Sequence, residues 1–356
     1  VRDVENALRR YAETDRPLVQ VLDTAGELAA THSYREITRA ARQLADRLSA
    51  REGRLSAREG SPRVGVVCGN TPEFVVTDLA LLAARAVEVP VPLAFTREQA
   101  AGMLETIDVL VADAPGRRRL AEWGEDEVLP ADCPVVDVEL AELLGAATCP
   151  YSVAPVDGDW ICKVIHTSKV IHTSGTTSRP KGVRIRAEGI GALIGSLSAV
   201  MPAGAFGRYL STVPFSLLIE QVTGLYMVLL DGGCVTLLPQ QAALVGTSAD
   251  ASEGVLRYLR AARPTALVAT PALAGALATA AKAAEATGSA VSPAVFGTDE
   301  VPLVCCGGAP VHPDLLRELD DLGIPVHEGY GLSENSSVVS WNTPGARRYG
   351  TCLLYT

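Results

Sequence analysis

His172-Thr173-Ser174-Gly175-Thr176-Thr177-Ser178-Arg179-Pro180-Lys181-Gly182 follows a run rich in β-branched residues, Lys163 to Ile171. Glycines let backbone N–H groups come close to a ligand. Hydroxyls and N–H groups in a tight loop form a concave anion site, and a nearby lysine supplies positive charge for a phosphate. The most economical ligand is a polyphosphate. A solvated surface turn uses the same residue types, but so dense a set of phosphate-type donors after a strand favours binding. The common phosphate loop places four residues between its first glycine and a Gly-Lys-Ser/Thr triplet. Here Lys181 stands between Pro180 and Gly182, which argues against an ordinary P-loop ATPase or kinase.

Working upstream, Lys163-Val164-Ile165-His166-Thr167-Ser168 is repeated at once as Lys169-Val170-Ile171-His172-Thr173-Ser174. Six is even, so an added copy preserves the inside/outside alternation of a strand. Fully extended it would lengthen the strand by roughly 20 Å, so one copy is expected to bulge out as a loop. A regulatory insertion and an accidental duplication are both open.

Ser33-Tyr34-Arg35-Glu36 reads as a capping box, followed by Tyr34, Ile37, Ala41, Leu44 and Leu48 at helical spacing. Arg63 to Cys68, Val87 to Val91 and Asp108 to Ala112 read as strands. Thr71-Pro72 and Thr96 with Gln99 open the helices between them. Arg117 to Pro155 has no strong pattern and reads as a connection between two lobes, with Glu125-Asp126-Glu127 as a solvated loop. Beyond the quoted stretch, helices are expected over Ala187 to Val200, Leu225 to Leu230 and Glu253 to Ala262, and from Pro271 and Pro313. Strands are expected over Tyr209 to Val213, Cys234 to Leu238, Thr265 to Ala269 and Val301 to Cys305. Such alternation implies mostly parallel sheets covered on both faces.

The formal charge of −10 and the lack of a basic cluster argue against nucleic acid as a main partner. With 48% hydrophobic residues the chain can fill a large core. None of the eight cysteines forms a CxxC pair, which fits buried thiols in a reducing cytoplasm. The histidines show no metal-ligand spacing. Arg85 and Glu88 interrupt the best apolar run, so no membrane span is expected.

Two further motifs follow. Gly307-Gly308-Ala309 ends a strand, where glycines allow a flat ring to approach backbone. Glu328-Gly329-Tyr330-Gly331-Leu332-Ser333-Glu334 joins an aromatic face to a hydroxyl and a carboxylate. Together with HTSGTTSRPKGV at His172 to Val183, these resemble the signature loops of the adenylate-forming (AMP-binding) enzyme superfamily, of acyl-CoA synthetase type. His172 replaces that family's aromatic residue and Ser178 replaces a glycine.

The resemblance implies an α/β fold of two stacked subdomains, about 1–155 and about 156–351, with mostly parallel sheets sandwiched by helices. It implies that Thr173, Ser174, Gly175, Thr176, Thr177 and Lys181 grip the β- and γ-phosphates of ATP. Gly307, Gly308, Ala309, Tyr330 and Gly331 would lie against adenine, Ser333 would contact the α-phosphate and Glu334 would hold Mg²⁺. Lys181, Thr176, Ser333 and Glu334 would carry the catalysis. The implied reaction activates a carboxylic acid, fatty or aryl, to an acyl-adenylate. CoA or the phosphopantetheine thiol of an acyl carrier protein then takes the acyl group. A non-catalytic nucleotide-binding module and an amino-acid-activating domain of a peptide synthetase are the alternatives. Pro214 to Gln221 matches the segment over the acyl and nucleotide sites, or else a core helix with one exposed glutamate, Glu220. By the same resemblance Cys352 to Thr356 depart from the family pattern, and the small C-terminal domain with its catalytic lysine is missing. The chain as given is then expected to bind nucleotide with impaired adenylation.

Overall fold

The computed structural model describes residues 1–52, 61–146, 159–167, 181–248 and 250–350. It forms two compact units, one of Val1–Tyr11, Asp15–Ser33 and Gly191–Thr356, the other of Ala12–Thr14 and Tyr34–Ile190. In chain order the strands are β1 (Pro17–Leu22), β2 (Leu28–Ser33), β3 (Arg63–Val67), β4 (Val87–Pro90), β5 (Val109–Ala112), β6 (Val135–Asp137) and β7 (Ile161–Thr167). They continue as β8 (Lys181–Arg186), β9 (Arg208–Ser211), β10 (Cys234–Leu237), β11 (Ala266–Ala269), β12 (Leu303–Cys306), β13 (Val326–Leu332) and β14 (Ser337–Trp341). The mixed α/β class expected from the alternation holds. The two sheets do not part the chain near residue 155, however: β1 and β2 join the later strands, while β7 and β8 join the earlier ones.

The six-stranded sheet has the order β6-β5-β3-β4-β7-β8 and is parallel except for β8. Every residue of β4 and β5 is buried, which is why these strands read as continuous apolar runs. Val67, Val89, Leu110, Met103 and Trp123 share one core cluster with Val164 of β7. Two of the expected caps are present. Thr71 Oγ1 accepts the Phe74 N–H at 3.3 Å, and Thr96 and Gln99 form a full capping box.

The stretch after Arg117 is more ordered than its composition implies. Helices Ala114–Trp123, Glu125–Val128 and Leu140–Gly145 flank β6, which extends the sheet beside β5. Asp113 organises the start. Its carboxylate accepts from Gly116 N–H at 2.7 Å, the Thr71 hydroxyl at 2.7 Å and Gly69 N–H at 2.9 Å. Only glycine fits at 116, where a Cβ would lie 1.7 Å from the Val67 carbonyl oxygen. The acidic triplet is a helical turn rather than a solvated loop. Glu125 and Glu127 pair with Arg117 and Arg97 while Val128 points inward.

The first copy of the repeated hexamer builds β7, with Lys163 in register with Glu88 of β4. The Lys163 ammonium is fully buried and donates to both Asp78 and Glu88. Burial pushes the Glu88 carboxyl up against the opposing pull of that ammonium. A proton held on the carboxyl pair brings the cluster close to neutrality, as a buried charge group requires. The second copy, Lys169 to Ser174, lies outside the described residues.

The eight-stranded sheet has the order β14-β13-β12-β11-β9-β10-β1-β2. Strands β1 and β9 to β13 run parallel, and the antiparallel β2 and β14 close the two ends. Pro271–Ala286 and Pro313–Asp321 start as expected, each with proline in the first turn, and Thr270 caps the first at the Leu273 N–H. The chain expected to be helical over Leu225 to Leu230 is helical, first as the end of a π-helix, Val222–Met227, then as Val228–Leu230. Gly224 lets this helix pack against Tyr209, whose ring a Cβ there would meet at 2.8 Å. Among the described residues no helix is long and apolar enough to cross a membrane.

Candidate functional site

The carboxyl ends of β12 and β13 bring two predicted motifs together. The strands pair in parallel up to Cys306 against Glu328. Beyond that pair Gly307 faces Gly329 so closely that a Cβ on Gly307 would sit 3.3 Å from the Gly329 carbonyl oxygen. Gly308 then turns the chain away with φ +83°, a conformation that glycine adopts without strain. On the other side of Gly329 lies the Trp341 ring, whose Nε1–H donates to the His327 carbonyl at 3.0 Å. Tyr330, next in line, is 44% exposed. An open aromatic face beside side-chain-free backbone, at the carboxyl end of parallel strands, is where open α/β sheets take their ligands.

The segment Glu328 to Leu332 was expected to be a loop. It is the second half of β13, paired antiparallel with β14 from Gly329–Trp341 to Leu332–Ser337. The register shifts at Gly331, where a Cβ would lie 1.9 Å from the Ser337 carbonyl oxygen. Glycine is what lets the returning strand close on the motif. Ser337–Trp341 is a short β-branched and aromatic run that reads as a strand, but nothing local to it names its pairing partner. Ser333 and Glu334 then fall on a short 3₁₀ turn, Ser333–Asn335.

Glu334 is exposed and makes no side-chain hydrogen bond among the described residues. Such a carboxylate suits Mg²⁺, which keeps most of its waters and binds one or two carboxylates plus phosphate oxygens. No group of three His, Cys, Asp or Glu gathers as a metal site among the described residues. Glu328 opens the tyrosine motif. It is buried, and its Oε2 has no hydrogen-bond partner among the described residues. An unused buried acceptor favours an incoming N–H or O–H donor.

Glu220 is not an exposed glutamate. It is fully buried, with the Tyr209 hydroxyl donating to Oε2 at 2.7 Å and the Ser211 hydroxyl to Oε1 at 2.6 Å. The interior of its unit claims both oxygens. Burial pushes its carboxyl up to about 8, against those hydrogen bonds. The folded state therefore favours the protonated form. This contribution to stability is complete below the ordinary glutamate range and is lost as pH rises toward 8. Glu220→Gln is expected to flatten the fall in urea midpoint between pH 5 and 8. An unchanged slope would show that other groups set it.

Of the hydroxyl-rich loop, Thr173, Ser174, Gly175, Thr176 and Thr177 lie outside the described residues. Lys181 opens β8 with its backbone opposite Thr167, and its side chain too is outside them.

Comparison with known proteins bears on the family and the fold. A family profile described as AMP-binding enzyme matches residues 8–353. The chain is 24% identical over 291 residues to malpinin synthetase of Mortierella alpina, covering 79% of this chain and 3% of that protein. It is 31% identical over 180 residues to CymA of Salinispora arenicola, a probable non-canonical nonribosomal peptide synthetase, covering 50% of this chain and 2% of that protein. In fold it is similar to the anthranilate CoA ligase AuaEII, solved with anthranoyl-AMP, with a TM-score of 0.75 at 16% identity. That likeness covers 99% of this chain and 62% of the ligase, and at such identity it is a likeness of fold. The chain thus spans only a few per cent of the curated synthetases and under two thirds of the ligase.

Proposed function

We propose, from the premise that this chain belongs to the AMP-binding enzyme family, that it serves the ATP-dependent activation of a carboxylic acid. The observation that supports this best is the open backbone at Gly308, where a Cβ would meet nothing within 4 Å, in the same pair of motifs as the exposed Tyr330 ring. It leaves room for a flat base against backbone. In this reading adenine lies along Gly307, Gly308, Ala309, Tyr330 and Gly331, and Ser333 donates to the α-phosphate. Thr173, Ser174, Gly175, Thr176, Thr177 and Lys181 hold the β- and γ-phosphates. Glu334 holds Mg²⁺, which when bound offsets phosphate charge.

Carboxylate is a weak nucleophile and both reactants are anionic. The residues therefore act by positioning and by countercharge. An oxygen of the acid attacks the α-phosphorus, pyrophosphate leaves, and an acyl-adenylate forms. A thiol then attacks the acyl carbon and releases AMP. The acid is a fatty or aryl acid and the thiol belongs to CoA or a carrier protein. The ligase and the synthetases among the similar proteins support those two acceptors in turn.

Titration of the chain with MgATP, followed by tyrosine and tryptophan fluorescence, is expected to saturate at about 1 µM–1 mM, the usual substrate range. MgGTP at the same concentrations is expected to leave the signal flat. No response to ATP, AMP or a stable acyl-adenylate analogue would overturn the reading. Trapping of activated acids with hydroxylamine then identifies the acid class.

A further inference from the structure

Lys163, Asp78 and Glu88 take no part in the site described above. They come from three elements of one unit: Lys163 from β7, Glu88 from the neighbouring β4, and Asp78 from the helix Pro72–Ala84. The side chains of Lys163 and Asp78 are wholly buried and that of Glu88 is 2% exposed. Each touches the other two. The Lys163 ammonium donates to both carboxyls, and Glu88 is hydrogen-bonded to Asp78. Apolar residues buried along the same helix and along β4 keep bulk water away. Ions taken out of water lose their solvation, so the neutral forms of an amine and a carboxyl gain. A lysine amine without its extra proton is a nucleophile. Burial pushes the Glu88 carboxyl up, so it holds a proton that it can lend.

We propose that this cluster is a covalent modification site, where Lys163 Nζ and Asp78 Cγ condense to an isopeptide amide with Glu88 as proton carrier. Lys163 first passes a proton to the Asp78 carboxylate, leaving a neutral amine beside a neutral acid. The nitrogen lone pair adds to Cγ while Glu88 donates its proton to the carbonyl oxygen. Glu88 takes a proton back from the nitrogen and delivers it to one hydroxyl, which leaves as water. The proton on the remaining oxygen returns to Glu88. A C–N bond replaces one C–O bond, one water is released, nothing is oxidised or reduced, and Glu88 ends as it began.

Asp78 is the acceptor because both neighbours donate to it, which polarises its carbonyl. Well-oriented groups in contact react as if at about 10⁵–10⁸ M, and exclusion of water withholds the reagent for hydrolysis. The amide removes a buried ion pair whose desolvation is costly. It also ties the helix to a strand 85 residues further on, and such a link stabilises by restricting the unfolded chain.

The test is the mass of the purified, folded chain after denaturation, followed by tryptic mapping. The expected mass is one water below that of the sequence. The expected peptide is branched, with 64–85 joined to 120–169, because trypsin does not cut at an acylated Lys163. Fragmentation should place the branch on Asp78. Lys163→Met and Glu88→Gln should both show the full mass and linear peptides. Glu88→Gln leaves one ammonium against one carboxylate, so it should stay folded by circular dichroism. A folded parent chain of full mass, with both peptides linear, overturns the proposal, and so does a branch at Glu88. A folded Glu88→Gln chain that cross-links as completely as the parent overturns the role given to Glu88. The parent's own mass decides whether the bond exists, whatever the variants do.

Discussion

Glu334→Gln is expected to lower turnover in the ATP-dependent step by a factor on the order of 10²–10³, the range for removing one preorganised charge partner from a transition state. Stability should stay within about 0.5 kcal/mol of the parent. Glu334 is exposed on the Ser333–Asn335 turn, and no fold contact depends on its carboxylate. The measurement is pyrophosphate formation with the intact enzyme, beside a urea melt of each protein. Equal loss of stability and activity would mean that the turn itself had collapsed. Unchanged turnover at varied Mg²⁺ would remove Glu334 from the metal role. The apparent affinity for Mg²⁺ should fall more than that for ATP, because the variant keeps the tyrosine and glycine contacts.

Gly331→Ala should act through the backbone. A methyl group placed 1.9 Å from the Ser337 carbonyl oxygen cannot be absorbed by a rotamer change. Either β14 shifts or the register bulge opens. Overpacking of this kind costs about 1–3 kcal/mol. The functional loss should be larger than that figure implies, because Tyr330, Ser333 and Glu334 flank the bulge. A urea melt should show the destabilisation, and MgATP titration should show weakened binding in the protein that remains folded. Val339→Ala, on the exposed neighbour in β14, should leave both unchanged. A Gly331→Ala protein with normal nucleotide binding would show that the bulge does not position the motif.

Much of the fold was legible locally. Thr71, Thr96 and the prolines at 72, 271 and 313 mark helix starts because caps and fixed φ angles act within one turn. Val109–Ala112 and Ala266–Ala269 read as strands because parallel sheets bury both faces. Asp113-Ala114-Pro115 carries a helix-start signal too, an N-cap followed by proline, at the head of Ala114–Trp123.

Other features have no local signature. That β1 lies beside β10 is a pairing across most of the chain. Glu220 looked like a surface charge on a short helix, and only Tyr209 and Ser211, brought in from β9, make it an interior acid. Nothing adjacent to Lys163 in sequence marks it as buried; Asp78 and Glu88 close around it from other elements.

The family motifs, their order and the alternation of strands and helices are legible in the amino-acid order alone, because each is written within a few consecutive residues. It takes the folded chain to bring Gly307 against Gly329, to pair β14 with the tyrosine motif, and to bury Lys163 between Asp78 and Glu88. Those outcomes depend on which distant backbones come within hydrogen-bonding reach, and on the cost of leaving a buried charge unmatched.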